Sequence, residues 1–206
     1  MPNETVDSVA PREILRKGLH MLVAGFPLIM LQIGRPNSLL ILIPLTVAAL
    51  LADVSRAHLP SFERFIANVF GQMMRTDEAA TDGRIVINGA TWVLVSLSTL
   101  TLLYDLTIAG LTFMMFMVAD AAAALVGAWI GRHRWCWSRR TFEGSAAFAA
   151  SALAVGLLFP SDMFAPLLLL LVSVVGAIVE SLPGPLNDNV RVPHCMALFL
   201  IAASYL

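Results

Sequence analysis

Charge is scarce in this sequence, and lysine is almost absent. Only 13% of the 206 residues are Asp, Glu, Lys or Arg, whereas a soluble domain carries about 25%. Lys17 is the only lysine among 13 basic residues, and no basic run suited to nucleic acid occurs. Hydrophobic residues instead make up 58% of the chain. These figures exclude an ordinary soluble domain, argue against nucleic acid as a partner, and predict one integral membrane domain over residues 1–206.

Cysteine is equally rare. Cys136 and Cys195 lie far apart and form neither a disulfide framework nor a CxxC metal pair, so we expect two free thiols. Residues 1–18 are polar, so no short basic signal region precedes the first apolar segment, and that segment also lacks a small-residue cleavage site. We therefore expect the first apolar segment to be retained as a membrane span.

Apolar residues fall into seven segments separated by short polar connections. A helix needs roughly 20 residues to cross a hydrocarbon core, and several segments are shorter, so those helices must thin the bilayer or lie partly inside the bundle. We predict an all-α fold, a polytopic bundle of about seven transmembrane helices, and leave open whether the last segment crosses fully. The segments are 19–34, 37–53, 85–103, 106–131, 145–159, 163–182 and 192–206.

Basic residues predict the orientation of these spans. If the N-terminus is cytoplasmic and the spans alternate, Arg35 faces outside and all other basic residues face the cytosol, in line with the positive-inside rule. The C-terminus then lies outside, and the working face is cytosolic. The cytosolic set is Arg12, Arg16, Lys17, Arg56, Arg64, Arg75, Arg84, Arg132, Arg134, Arg139, Arg140 and Arg191.

The longest cytosolic loop, about 54–84, contains one amphipathic pattern. Its apolar residues recur at i, i+3, i+4, i+7, i+8, i+11 and i+12, which is the period of a helix. We predict a helix that lies in the interface plane, with packing against the bundle as the alternative. The residues are Phe62, Phe65, Ile66, Val69, Phe70, Met73 and Met74.

Asp120 is an acidic residue inside an apolar segment. A charge at mid-bilayer costs about 2.5–3.5 kcal/mol on insertion scales, so it usually marks a site or a buried partner. Helical rise places Asp120 roughly 16 Å from the inner end of its span, among small residues that let neighbouring helices approach. Protonation or an arginine would satisfy it, and a divalent cation is the more economical partner where phosphates are handled.

Two further polar groups border the cytosolic ends of spans. Glu13, Arg16, Lys17 and His20 share one helix face at the entry to the first span, where an interfacial anchor is the alternative reading. The stretch 139–145 places two arginines beside a helix start, whose free N–H groups and dipole suit an anion. Its glycine would let a ligand approach the backbone. Positive-inside anchoring with a threonine N-cap explains part of this stretch.

The last polar group follows the sixth span. Glu180 still lies within the apolar segment, whereas Asp188 and Asn189 follow it in a stretch that by itself is typical of a turn. Pro193 suits the first turn of the final span. Glu180 is the residue of this group that a turn does not explain.

Together these groups favour phosphate chemistry. Carboxylates, arginines and a glycine-containing helix start match metal-assisted phosphoryl transfer, in which cations neutralise the donor phosphates and a carboxylate orients the acceptor hydroxyl. No Walker P-loop, HExxH or GxSxG pattern occurs. A small transporter is the non-enzymatic alternative, but its polar groups should run through the full depth of the membrane.

In order along the chain, these residues resemble the polyprenol kinase family, which includes dolichol kinase, phytol kinase and CTP-dependent diacylglycerol kinase. Two positions depart from the family pattern: Ala119 stands where Gly is usual, and Arg140 stands where Lys is usual, which leaves donor geometry open. The matching segments are Glu13-x-x-Arg16-Lys17-x-x-His20, Arg75-x-x-Glu78, Asn88-Gly89-Ala90-Thr91, Asp120-Ala-Ala-Ala with Gly127 and Gly131, Arg140-Thr141-x-Glu143-Gly144-Ser145, and Glu180 with Asp188-Asn189 and Pro193.

The resemblance implies transfer of the γ-phosphate of CTP, or ATP, to the hydroxyl of a polyprenol-type lipid or diacylglycerol, with Mg²⁺ as cofactor. A phosphatidate cytidylyltransferase-like enzyme is the rival, although its Lys-Asp and His-Gly-Gly signature is absent. The lipid alcohol stays open, as do a homo-oligomeric state and which carboxylate is the base. We expect catalysis by Asp120, Glu143, Lys17 and His20, nucleotide binding by Arg16, Arg75, Arg139, Arg140, Thr141, Gly144, Ser145, Asp188 and Asn189, and metal binding by Asp120, Glu180 and Asp188.

Overall fold

The computed structural model describes residue 18 and residues 20–70, 83–161 and 163–204. Within these ranges the chain is helical apart from short connections, and its β-type pairing is an isolated bridge between Arg134 and Thr141. The all-α prediction is confirmed for this part of the chain. The main helices are α1 (Phe26–His58), α2 (Pro60–Phe70), α3 (Gly89–Leu103), α4 (Leu106–Ile130), α5 (Phe142–Leu158), α6 (Pro166–Ser181) and α7 (Asp188–Ser204).

The long helix α1 is two helices joined at a break. Gly34 has φ 79° and ψ 164°, a conformation that glycine adopts without steric cost, and the helix restarts at Pro36, whose ring fixes φ. Arg35 donates through Nε to the Thr101 carbonyl at 3.0 Å and through Nη2 to the Leu102 carbonyl. The arginine predicted to stand alone outside therefore caps the C-terminus of α3.

The central helix of the bundle is α4. It packs most extensively against α5 and also contacts α1, α3 and α7. Phe113, Met115, Phe116 and Met117 are fully buried in its first half. Its second half carries mainly small residues, which allow α5 to approach closely.

Large apolar side chains lie on the surface of the bundle as well as in its core, and several polar side chains are buried. Leu40 and Leu158 are 73% and 83% exposed, whereas Ser38, Thr101 and Ser173 are buried. Monomeric soluble proteins rarely expose large continuous apolar surface. The helices α1 and α4 are long and apolar enough to cross a membrane, and α3, α5 and α6 are shorter apolar helices. The two long helices support membrane association.

The amphipathic helix α2 agrees with the predicted pattern as far as Phe70, and the two methionines of that pattern lie outside the described residues. None of residues 60–69 is buried, and Phe65 and Val69 are 57% and 54% exposed. The helix contacts α1. Phe62 and Ile66 of the same apolar stripe are half-buried, so the stripe is partly covered and both predicted positions of the helix stay open.

The start of α7 differs from the prediction. Asn187 accepts a hydrogen bond from the backbone N–H of Asn189 through its side chain and from those of Val190 and Arg191 through its carbonyl. The helix therefore begins at residue 188, four residues before the predicted boundary. Placing Pro193 in the first turn was wrong, because it lies in the second turn, where its missing N–H removes a backbone hydrogen bond.

Candidate functional site

One end of the bundle gathers most of the polar residues that the sequence singles out. The helices α3, α5 and α7 begin at this end, whereas α1, α4 and α6 end there. Their termini bring together residues that are distant in sequence and leave Arg35 at the opposite end. The gathered residues are Asn88, Arg139, Arg140, Thr141, Glu143, Gly144, Ser145, Glu180, Asp188 and Asn189.

Arg140 is the centre of an ion-pair network at this end. Its Nη1 lies 2.6 Å from Glu180 Oε1, and its Nη2 donates to Asp188 Oδ2 at 3.0 Å. Arg191 Nη2 donates to the other Asp188 oxygen at 2.7 Å. Because the Glu180 side chain is only 1% exposed, its charge requires a close cation. Arg140 supplies that cation and ties the loop before α5 to α6 and α7.

Asp120 belongs to the same electrostatic group. It is 8% exposed on α4, and its charge acts on Arg140. Burial lowers the pKa of Arg140, but the neighbouring carboxylates outweigh burial and hold that pKa above its ordinary value. Those carboxylates are Glu180, Asp120 and Asp188. Arg140 is therefore a cation close enough to Asp120 for their charges to interact.

A cleft of about 250 Å³ opens beside this network. Its volume is below the roughly 300–1,000 Å³ typical of pockets that enclose whole ligands, so it suits part of a ligand, such as phosphate groups. Small side chains of α4 form one wall and the start of α5 forms another. The lining residues are Ala123, Ala124, Gly127, Ala128, Arg139, Arg140, Thr141, Gly144, Ser145 and Glu180.

Arg139 is the cation that this cleft offers to a ligand. It is exposed and lines the cleft, and within the described ranges no carboxylate forms an ion pair with it. Arg140, which was also expected to bind phosphate, lines the cleft as well but is paired with Glu180 and Asp188. The two adjacent arginines therefore divide into one that holds the site together and one that is available to an anion.

The first turn of α5 is already hydrogen-bonded. Thr141 Oγ1 accepts from the backbone N–H of Gly144 at 3.1 Å, so Thr141 is the N-cap. The backbone N–H of Phe142 donates to the His133 carbonyl at 2.8 Å. The expectation of free N–H groups was wrong for these two positions. An anion here would interact with the helix dipole and with Arg139.

The glycines between α4 and α5 serve close helix packing. A Cβ on Gly144 would lie 3.0 Å from both the Ala123 carbonyl oxygen and Thr141 Oγ1. A Cβ on Gly127 would lie 3.1 Å from Thr141 Oγ1, and one on Gly131 would lie 2.8 Å from the same atom. Helix α4 thus fills the side-chain direction of Gly144, while Gly144 also lines the cleft.

Glu143 is bonded to the loop that precedes α5. Its Oε1 lies 2.7 Å from His133 Nδ1, and its Oε2 accepts from the backbone N–H of His133 at 3.3 Å. The hydrogen bond from the His133 side chain, with help from backbone N–H groups, lowers the pKa of Glu143 to about 2. A carboxylate with so low a pKa is a weak proton acceptor near neutral pH. This geometry favours a structural role for Glu143, in which it holds the loop before α5 in place, and not the expected catalytic role.

Asp53 is a buried acid that the sequence analysis missed. It is 1% exposed, and its carboxylate accepts from Asn88 Nδ2 at 2.7 Å and from Asn88 N at 3.0 Å. Asn88 in turn caps α3 by accepting from Thr91 N at 3.0 Å. Asn189 Nδ2 donates to the Gly89 carbonyl at 3.5 Å, which links α7 to the same cap. The sequence signal that could have identified Asp53 is its position as an acidic residue at the end of an apolar segment.

Five of the predicted residues cannot be placed in this site. Glu13, Arg16, Lys17, Arg75 and Glu78 lie outside the described residues. The remaining member of the N-terminal group, His20, is described and is 8% exposed.

The carboxylates suit a magnesium ion that is also bound by substrate. Among the described residues, no three His, Cys, Asp or Glu side chains lie close enough to hold a metal ion by themselves. Mg²⁺ in phosphotransferases is usually held by one or two carboxylates, substrate phosphates and water. Asp120 and Glu180 bring two negative charges to one guanidinium, so hard oxygen donors of the kind that Mg²⁺ prefers are present.

Comparison with known proteins does not assign a function. No family model and no solved structure matches the chain. An uncharacterized protein of Rickettsia prowazekii (strain Madrid E) is 24% identical over 189 residues, which covers 88% of this chain and 91% of that protein. The similarity spans most of both chains but carries no activity with it, so the resemblance to polyprenol kinases stays a prediction.

Proposed function

We propose that this chain is a membrane kinase that transfers the γ-phosphate of a nucleoside triphosphate, in the first place CTP, to the hydroxyl of a lipid alcohol at the cytosolic face. The proposal rests on one juxtaposition. A cleft sized for phosphates, with Arg139 available in it, adjoins the buried acids Asp120 and Glu180 at one end of an apolar helix bundle. Phosphoryl transfer depends mainly on such positioning and electrostatic stabilisation.

The proposed membrane arrangement uses the same helices. The break in α1 yields two apolar helices, and α3 to α7 bring the proposed number of crossings to seven. Helices of 15 to 17 residues span about 22–26 Å, less than the roughly 30 Å hydrocarbon core. We therefore expect the bilayer to be thinned around α3 and α5 to α7. Thinning would also bring a lipid hydroxyl closer to Asp120.

Each group of the cleft has a defined part in the proposed reaction. Arg139 and the N-terminal dipole of α5 bind the donor phosphates. Asp120 and Glu180 would hold Mg²⁺, which supplies charge neutralisation to the triphosphate when bound. Arg140 keeps these carboxylates in place. As the acceptor oxygen bonds to the γ-phosphorus, the bond from that phosphorus to the β–γ bridging oxygen breaks and the nucleoside diphosphate leaves. The acceptor hydroxyl gives up its proton to a carboxylate of the cluster.

The proposed reaction predicts which phosphate reaches the lipid. Purified protein in nanodiscs should transfer label from γ-labelled CTP or ATP to a lipid alcohol in a panel of dolichol, shorter polyprenols, phytol and diacylglycerol. Thin-layer separation of the labelled lipids provides the readout. Label that moves only from the α position, with release of pyrophosphate, would support the cytidylyltransferase reading and exclude the kinase.

The proposed orientation predicts the reactivity of the native thiol Cys136. It is exposed on the loop between α4 and α5, at the end of the bundle that carries the candidate site. In a Cys195→Ser background, a membrane-impermeant maleimide should label it only after the cells are permeabilised. In a cysteine-free background, Met163→Cys should react in intact cells, because Met163 is 64% exposed between α5 and α6. Labelling of Cys136 in intact cells would show that this loop faces outside and that the orientation is opposite to the proposed one.

A further inference from the structure

An aromatic stack stands on the loop between α4 and α5. The ring of Trp135 contacts both Trp137 and Phe142, with centroid distances of 4.7 and 3.7 Å and interplanar angles of 25° and 31°. Trp135 Nε1 also donates to Ser145 Oγ at 3.0 Å. Because Ser145 lines the cleft, the stack is fixed to the cleft wall.

The loop that carries these rings is held in a hairpin-like shape. The backbone N–H of Trp135 donates to the Arg140 carbonyl at 3.0 Å, beside the bridge between Arg134 and Thr141. Trp137 lies at the turn and is 44% exposed. One aromatic ring is therefore presented to solvent by a backbone whose conformation is already fixed, which reduces the entropy lost when a ligand stacks on it.

Trp137 lies next to the cleft, where the nucleoside of a bound nucleotide would extend beyond it. The cleft volume of about 250 Å³ accommodates phosphates but not a whole nucleoside triphosphate. Trp137 is two residues before Arg139, so their Cα atoms lie within about 7 Å of each other. The exposed ring therefore lies within reach of the base of a nucleotide whose phosphates contact Arg139.

We infer that the exposed face of Trp137 is the stacking platform for the base of the nucleoside triphosphate, with Trp135 and Phe142 supporting it from behind. The inference rests on the proposed function and adds a base-binding subsite to it. Stacking needs only the π-face that every base presents, so this platform binds bases without distinguishing cytosine from adenine. Selection between CTP and ATP must then come from other contacts.

The test compares nucleotide binding with binding of the phosphate chain alone. Equilibrium dialysis of the protein in nanodiscs measures the Kd of labelled CTP and of labelled inorganic tripolyphosphate. Trp137→Leu removes the ring but keeps an apolar side chain, so it should weaken CTP binding by roughly tenfold or more and leave tripolyphosphate binding unchanged. Trp137→Tyr keeps an aromatic face and should retain most of the affinity.

A second tryptophan provides the matched control. Trp129, at the end of α4, is 69% exposed, and Trp129→Leu should leave both dissociation constants unchanged. The inference is overturned if Trp137→Leu binds CTP as tightly as the native protein, as expected for a ring that only anchors the loop in lipid headgroups. It is also overturned if Trp137→Leu weakens both ligands equally. Failure of the native protein to bind any of CTP, ATP or tripolyphosphate would instead overturn the proposed function itself.

Discussion

Replacement of Asp120 by Asn is expected to lower phosphoryl transfer by roughly a hundredfold or more and to leave the helix bundle intact. Asn has the same shape, so packing on α4 is retained, and Arg140 keeps Glu180 and Asp188 as partners. The lost charge is one of the two buried charges proposed to hold Mg²⁺. Turnover should fall, and the Mg²⁺ concentration needed for half-maximal activity should rise.

Another acid on the connection to the same helix gives the control for this variant. Asp105 caps α4 at the opposite end by accepting from Thr107 N at 2.8 Å. Because Asn is also a favourable N-cap, Asp105→Asn should change neither stability nor transfer. Steady-state rates over a Mg²⁺ series, together with thermal melting in detergent, separate the two variants. Near-normal turnover of Asp120→Asn at low Mg²⁺ would show that Asp120 serves only as an electrostatic partner of Arg140.

The helices could be predicted because the apolar segments are long relative to the connections between them. Gly34 and Pro36 mark the first break in the sequence, and Asn88 and Thr141 are residue types that favour helix N-caps. In the structure, Gly34 and Pro36 form the break within α1, and Asn88 and Thr141 cap α3 and α5. Such signals are local, so they survive folding without help from tertiary contacts.

The partners of the charged residues could not be predicted in the same way. Sequence patterns place Arg140 at the cytosolic rim but do not tell whether it faces a ligand or the bundle. The Arg140 side chain points into the bundle because it pairs with Glu180, which is 40 positions away in the sequence and nearly inaccessible to solvent. Similarly, His133 accounts for the position of Glu143, and neither residue's spacing indicates that contact. Long-range electrostatics decided these cases.

Asp53 shows a further limit of pattern-based reasoning. It closes an apolar segment, where an acid is typical of a solvated helix end, yet it is 1% exposed. Two hydrogen bonds from Asn88 compensate for its burial. Because that pairing joins α1 to α3 across 35 positions, it is visible only once both helices are in place.

Replacement of Arg140 by Ala is expected to have the largest effect on stability. Removing the partner of a fully buried charge costs about 3–5 kcal/mol. The Arg140 side chain is 34% exposed, so water screens this pair and the expected loss is below that range. Here the Glu180 side chain, at 1% exposure, would lose a cation 2.6 Å away. Thermal unfolding in detergent should therefore occur at a clearly lower temperature, and transfer activity should be lost as the carboxylates lose their common anchor.

A double variant separates stability from catalysis. Arg140→Met with Glu180→Gln removes both charges and keeps similar volumes, so most of the lost stability should return. Transfer should not return, because Glu180 is proposed to bind Mg²⁺.

Arg139→Ala is the matched single variant. It should leave the unfolding temperature unchanged, because Arg139 is exposed. It should raise the KM for the nucleotide. If Arg140→Ala melts at the native temperature, the ion pair with Glu180 does not hold the site together. If the double variant regains native transfer, neither charge takes part in the chemistry.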